Sequence, residues 1–205
     1  MPRELCNEKL DSKFAAFNTS DKEKFSLESS FNQETTLNEE TKLVIVGTIT
    51  PPNTKYFYCS YYNFIYGYID EALKLSGSEN SLKKLKYGLS KVDNHRIRIE
   101  LLSSTEIKSR VDKIKCILKT NKIAFLDTMD KVIRKRNSPY DKDILYYSVD
   151  YARLGKLKKI KNVTVIANSK LASALCKEAG VNFTYLAQRG GRKEEWVNLI
   201  SEALK

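Results

Sequence analysis

The run Leu43-Val44-Ile45-Val46-Gly47 constrains this chain more than any other stretch. It is short, wholly apolar, rich in β-branched residues and closed by glycine, so it reads as a buried strand rather than one with a wet face. Three further runs have the same character: Ile123-Ala124-Phe125-Leu126-Asp127, Val163-Thr164-Val165-Ile166-Ala167 and Phe183-Thr184-Tyr185-Leu186. Helical patterns separate them. Residues 62–75 carry Ile65, Tyr68, Ile69, Ala72 and Leu73 at spacings of three and four, with Gly77 as the stop. Residues 82–119 form a long basic stretch read as helical, with Val111, Ile114, Ile117 and Leu118 on one face near its end. A short basic helix is expected over 151–159, another over 169–179 closed by Gly180, and a last one over 194–204. Strands that alternate with helices predict an α/β fold: a three-layer sandwich with a mostly parallel, four-stranded central sheet.

At 205 residues one domain is the default. Residues 1–40 are polar and read as an arm that is helical in part, around 10–17, with the α/β domain over 41–205. Lysine and arginine number 36 against 25 acidic residues, a net charge of +11, which implies an anionic partner; nucleic acid is the commonest. Cys6, Cys59, Cys116 and Cys176 are scattered, with no CxxC, which argues against a zinc ribbon or iron–sulfur cluster and for reduced, mostly buried thiols in a cytoplasmic protein. No apolar run nears the ~20 residues that span a bilayer. His95, the one histidine, sits in a polar basic stretch and reads as solvated. No metal site, cofactor motif, nucleophile elbow or Walker A sequence is legible.

In parallel sheets the site lies outside the carboxyl ends of the strands. That directs attention to the loop from Gly47 to Tyr58, to Asp127, to Asn168, and to residues 188–192. The first loop reads Gly47-Thr48-Ile49-Thr50-Pro51-Pro52-Asn53-Thr54-Lys55-Tyr56-Phe57-Tyr58. Glycine lets backbone approach a ligand, the prolines stiffen the loop, and Lys55 seeks phosphate. Tyr56, Phe57 and Tyr58 either offer faces on which a base stacks or cap the sheet. Basic clusters at Lys83-Lys84, 131–136 and 156–161 either track a phosphate backbone or are solvated helix faces.

A strand ending in Gly-Thr, a Pro-Pro loop, a Tyr-rich stretch and Asn63-Phe64-Ile65-Tyr66 opening a helix together resemble the first motif of uracil-DNA glycosylase-like proteins. The likeness is nearest to the branch of hypoxanthine- and mismatch-type glycosylases. The strand ending in Asp127 and the strand followed by Asn168-Ser169-Lys170 are similar to further motifs of that branch, in order, over about residues 40–200. The resemblance implies a cofactor-independent DNA glycosylase that flips a deaminated, damaged or modified base into a pocket and hydrolyses its N-glycosidic bond. It implies that Asn63 positions water, although a helix N-cap is its other reading. Asp127 would read the base edge, or merely cap a strand end. Substrate contacts would fall to Gly47, Thr48, Ile49, Tyr56, Phe57, Tyr58, Asp127, Asn168 and Gln188. DNA-backbone contacts would fall to Lys55, Ser169, Lys170, Arg189 and Arg192, with Ser169 capping a helix. The expected partner is single- or double-stranded DNA, the expected state a monomer, and the expected location the cytoplasm, or the nucleoid in a bacterium.

Two departures from the family pattern stand out. Thr48, Ile49 and Thr50 occupy the place where many members carry Asp or Asn after the glycine. The region after the fourth strand reads Leu186-Ala187-Gln188-Arg189-Gly190-Gly191-Arg192, with neither the His nor the Ser-Pro of the family's second motif. The alternatives are therefore a non-catalytic nucleic-acid-binding protein that keeps this fold, and a nucleotide-processing enzyme.

Overall fold

In chain order the elements are β1 (Arg3–Glu4), α1 (Asn7–Ala15), α2 (Thr19–Lys24), β2 (Phe25–Ser29), β3 (Leu43–Gly47), α3 (Ile65–Ala72), α4 (Ser104–Thr120), β4 (Ile123–Asp127), β5 (Met129–Lys135), β6 (Ile144–Val149), α5 (Tyr151–Leu157), β7 (Thr164–Ala167), α6 (Lys170–Glu178), β8 (Thr184–Tyr185) and α7 (Lys193–Ala203). Short 3-10 turns lie at Asn32–Glu34 and Asp141–Asp143. The computed structural model describes residues 3–50, 56–57, 63–86, 103–136, 138, 140–187 and 192–205.

The four apolar runs form one parallel sheet in the order β4-β3-β7-β8. Every residue of β3 and β4 is buried, because helices cover both faces and the period-two geometry sends alternate side chains to each. Leu43, Ile45, Ile123, Phe125 and Ile166 share a core with Ile65, Tyr66 and Ile69 of α3, Ile114 and Leu118 of α4, and Trp196 of α7. Val44, Val46, Ala124, Leu126 and Val165 pack instead with Leu154 and Leu157 of α5 and Cys176 of α6. The three-layer sandwich with its four-stranded central sheet is thus the observed architecture, and each buried aliphatic side chain stabilises it by roughly 1.5–3 kcal/mol.

A second sheet, β1-β6-β5-β2, has no counterpart in the sequence reading. β5 is antiparallel to both β6 and β2, and β1 adds to β6 in parallel. The basic cluster at 131–136 therefore lies mostly on a strand and not on a solvated helix face, and β2 lies in the stretch read as an arm. The same stretch shields the open edge of β4. Thr35 Oγ1 donates to the Phe125 carbonyl (2.5 Å), Thr36 Oγ1 to that of Ile123 (2.8 Å), and Asn32 Nδ2 to that of Asp127 (2.8 Å). Side chains here take the place of a fifth strand, which removes an unpaired edge.

The long basic stretch is also divided. Residues 82–85 form turns, the expected helix over 87–102 lies outside the described residues, and α4 starts at Ser104, where Ser103 and Glu106 close a capping box. The turn at 81–83 is held by the buried Asp70 carboxylate, which accepts from Ser81 Oγ (2.7 Å), the Leu82 amide (2.7 Å) and the Lys83 amide (2.9 Å). Gly180, with φ of 67°, ends α6 as expected. Cys6 and Cys116 are exposed, against the expectation of mostly buried thiols, whereas Cys176 is buried and its thiol is pushed up to about 11 by that burial. Among the described residues no helix is long and apolar enough to cross a membrane.

Candidate functional site

β4 passes into β5 through the single residue Thr128, so the second sheet grows directly from the carboxyl end of the first. The Thr128 amide donates to the Gly47 carbonyl (2.8 Å) and the Met129 amide to that of Thr48 (3.0 Å), which carries the β3–β4 ladder into the loop after β3. The connection between β5 and β6 is thereby brought to the same end of the parallel sheet.

Asp141, on that connection, is half-buried and accepts a hydrogen bond from Thr48 Oγ1 (2.8 Å). Thr48 Oγ1 also lies 2.7 Å from Ser169 Oγ. Burial pushes the Asp141 carboxyl above its ordinary range, against hydrogen bonds from Thr48 and Ser169 and the charge of Arg134, which draw it down. Residues after three different strands, β3, β5 and β7, therefore meet in one hydrogen-bonded trio.

Asp127 lies beside it, 1% exposed. Its Oδ2 accepts from both the Thr50 amide and Thr50 Oγ1, each at 2.9 Å, and its own amide donates to Asn32 Oδ1 (2.8 Å). Desolvation pushes its carboxyl up to about 7, with the Thr50 bonds and Arg134 opposing the rise. At neutral pH the group can therefore either donate or accept a proton. Its Oδ2 is committed to the loop after β3, so in this conformation Asp127 clamps that loop.

The compensating cation is Arg134, fully buried on β5. Arg134 stands opposite Ser26 in the β2–β5 ladder, which places Glu28 on the same face two residues along. Arg134 Nε lies 3.0 Å from Glu28 Oε2, and its other nitrogens donate to the carbonyls of Ser138 (3.2 Å) and Thr50 (3.4 Å). Burial lowers its pKa, and Glu28, Asp141 and Asp127, in that order, raise it. One guanidinium thus offsets three carboxylates at the sheet end. Among the described residues no group of three or more His, Cys, Asp or Glu side chains could hold a metal ion.

The remaining expected site residues divide into several groups. Gly47 ends β3, and Ile49 is buried against Met129, Val132 and Leu175. Tyr56 and Phe57 have no exposed surface and belong to the core over the sheet, where Phe57 packs edge-on to Phe31; the sheet-capping reading holds for both, and neither offers a face for stacking. Asn63 is half-buried, and its Oδ1 accepts from the Ile65 amide (2.9 Å), which ties it to the start of α3. Ser169 is the N-cap of α6 through the Ala172 amide (3.0 Å), next to the half-buried Asn168 and the exposed Lys170. Arg192 is exposed and lies 3.5 Å from Glu195. Lys55, Tyr58, His95, Gln188 and Arg189 lie outside the described residues.

Sequence reasoning missed Asp141, Arg134 and Thr50. The run Ile144-Leu145-Tyr146-Tyr147-Ser148-Val149 was the available signal: a strand-forming stretch after a turn-rich loop marks a hairpin, and the hairpin delivers Asp141 and Arg134.

No protein-family model matches the chain, and no curated protein matches it. A solved structure shares its architecture: a candidate uracil DNA glycosylase from Methanosarcina acetivorans, determined in solution by NMR, superposes with a TM-score of 0.52 at 15% sequence identity. The match covers 87% of this chain and 99% of that one. By the order of its parallel sheet, the layers that cover it and this likeness, the chain has a uracil-DNA-glycosylase-like α/β fold.

Proposed function

We propose that the chain is a DNA glycosylase that releases a deaminated, damaged or modified base. The observation that carries this reading is the convergence of the loop after β3 with the carboxylate that ends β4 and the Asn-Ser cap after β7 at one end of the parallel sheet. The glycosylase-like fold and a net charge of +11 support it, since the substrate is a polyanion. In the reaction the bond from C1′ to the base nitrogen breaks with its electron pair leaving on the base. Water then adds to C1′, and the proton it loses ends on the departing base, which leaves neutral. Asp141 suits the task of orienting that water, because it is half-buried and has a hydroxyl, Thr48, holding it in place. Asn63 is the other water-positioning residue, through its amide nitrogen, since its oxygen is already engaged.

Binding without cleavage is the second reading. It is favoured by the commitment of Asp127 to Thr50 and of the Asn63 oxygen to Ile65. Single-turnover assays on labelled oligonucleotides carrying uracil, hypoxanthine, xanthine or a modified cytosine, followed by alkali, separate the two. The glycosylase reading expects cleavage at one of these bases, slowed about 100-fold or more in Asp141→Asn. No cleavage on any substrate, with salt-sensitive DNA binding retained, overturns it in favour of binding alone.

A further inference from the structure

Three aromatic rings form a ladder that ends in solvent. The Trp196 ring is fully buried and stacks on Tyr68, with centroids 5.8 Å apart and planes 24° apart. Tyr68 in turn stacks on Phe64 (6.4 Å, 19°), one helical turn earlier on the N-terminal side of α3. Phe64 is 50% exposed. The base of the ladder is fixed, because Trp196 Nε1 donates to the Ala187 carbonyl (3.0 Å) and α3 packs along α7. Phe64 is therefore a rigid, half-wet ring at the open end of a near-parallel stack, and the next member of such a stack is another flat ring.

The surroundings select which flat ring. Phe64 and Tyr68 line a cleft of about 730 Å³ whose wall includes Lys83, Lys84, Lys86 and Lys193. Lys193 is paired with Glu71 (2.7 Å), Lys86 donates to the Asn63 carbonyl, and Lys84 donates to the backbone carbonyl of Gly77, which neutralises no charge on Lys84. The Lys83 side chain is exposed on the turn that Asp70 holds. Asp70 is itself occupied by three donors from that turn, so it adds little repulsion. A stacking ring beside the ammonium groups of Lys83 and Lys84 matches a nucleobase with its attached phosphates, since each base has a π-face and each phosphate a charge.

We propose that this cleft is a binding groove for single-stranded or unpaired nucleic acid, with a base stacked on Phe64 and the adjoining phosphates held by Lys83 and Lys84. The proposal rests on the nucleic-acid reading above but not on catalysis. The groove adds a contact to the strand beside the site at the carboxyl ends of the sheet, and it recognises bases without sequence preference.

Fluorescence anisotropy with a labelled oligothymidine, over a series of salt concentrations, tests it on the full chain. Phe64→Ala is expected to weaken binding by about tenfold with little change in salt dependence. Lys83→Gln with Lys84→Gln is expected to lower the slope of log affinity against log salt by about 1.4. Thermal melting of each variant, unchanged from the parent, shows that the fold is intact. Equal affinity and equal salt slope in both variants overturn the groove, as does failure of the parent to bind the oligomer. Base release measured on the same preparations separates this result from the glycosylase reading. Release with unaltered binding of the variants sinks the groove alone, and binding that depends on Phe64 without release sinks the glycosylase alone.

Discussion

At the scale of single residues, Asp127 is the group whose chemistry the fold alters most. Its carboxyl titrates at about 7 in the folded chain, against 3.8 ordinarily, because it is buried. The folded form binds this proton more tightly than the unfolded form does. The stabilisation is then complete below about pH 4 and is lost as pH rises through about 7. Asp127→Asn is neutral throughout, and its amide oxygen can still accept both Thr50 bonds. Urea unfolding is expected to show the variant gaining on the parent by about 2–4 kcal/mol between pH 4.5 and pH 8. A constant difference across that range would mean that Asp127 stays ionised in the fold. The acidity of Asp127 was not legible in the sequence. A carboxylate at a strand end is ordinary; what raises its pKa is burial, which outweighs the two Thr50 hydrogen bonds that lower it.

At the scale of elements, local chemistry decided starts and stops wherever it was strong. Ser103 accepts from the Glu106 amide (3.2 Å) and Glu106 from the Ser103 amide (2.7 Å), which fixes the start of α4. The Ser-x-x-Glu spacing was present in the sequence, yet the basic run before it reads as continuous helix. Ser103→Ala is expected to lower stability by about 1 kcal/mol, visible as a fall in Tm of about 2–4 °C. No change would show that the box is not formed in solution. The parallel strands were legible for a different reason: a strand buried on both faces needs an unbroken apolar run, and few other structures tolerate one. β5 and β6 were not, because Met129–Lys135 mixes lysines with apolar residues and one arginine that points inward. An inward arginine breaks the alternation by which a half-buried strand is recognised.

At the scale of the whole molecule, residues 3–29 belong to the packing of the rest. β2 pairs with β5 over five residues, Leu10 of α1 is fully buried, and Glu28 is the ion-pair partner of buried Arg134. Removing one member of a buried pair costs about 3–5 kcal/mol, a large share of a domain's stability. A chain lacking residues 1–29 is expected to lose its cooperative thermal transition by circular dichroism. A fragment that melts like the full chain would make those residues an appendage. The sequence by itself determined the parallel sheet, the helices over it and the positive charge. These follow from side-chain periodicity and from charge, which are local and additive. Only the tertiary structure decided that Tyr56 and Phe57 are core, that Asp127 faces Thr50, and that Asp141 meets Thr48 and Ser169 across 93 and 28 residues of chain. Those outcomes depend on which hairpin folds over which strand end, a long-range choice made by burial and by pairing of charge, and no window of sequence contains both partners.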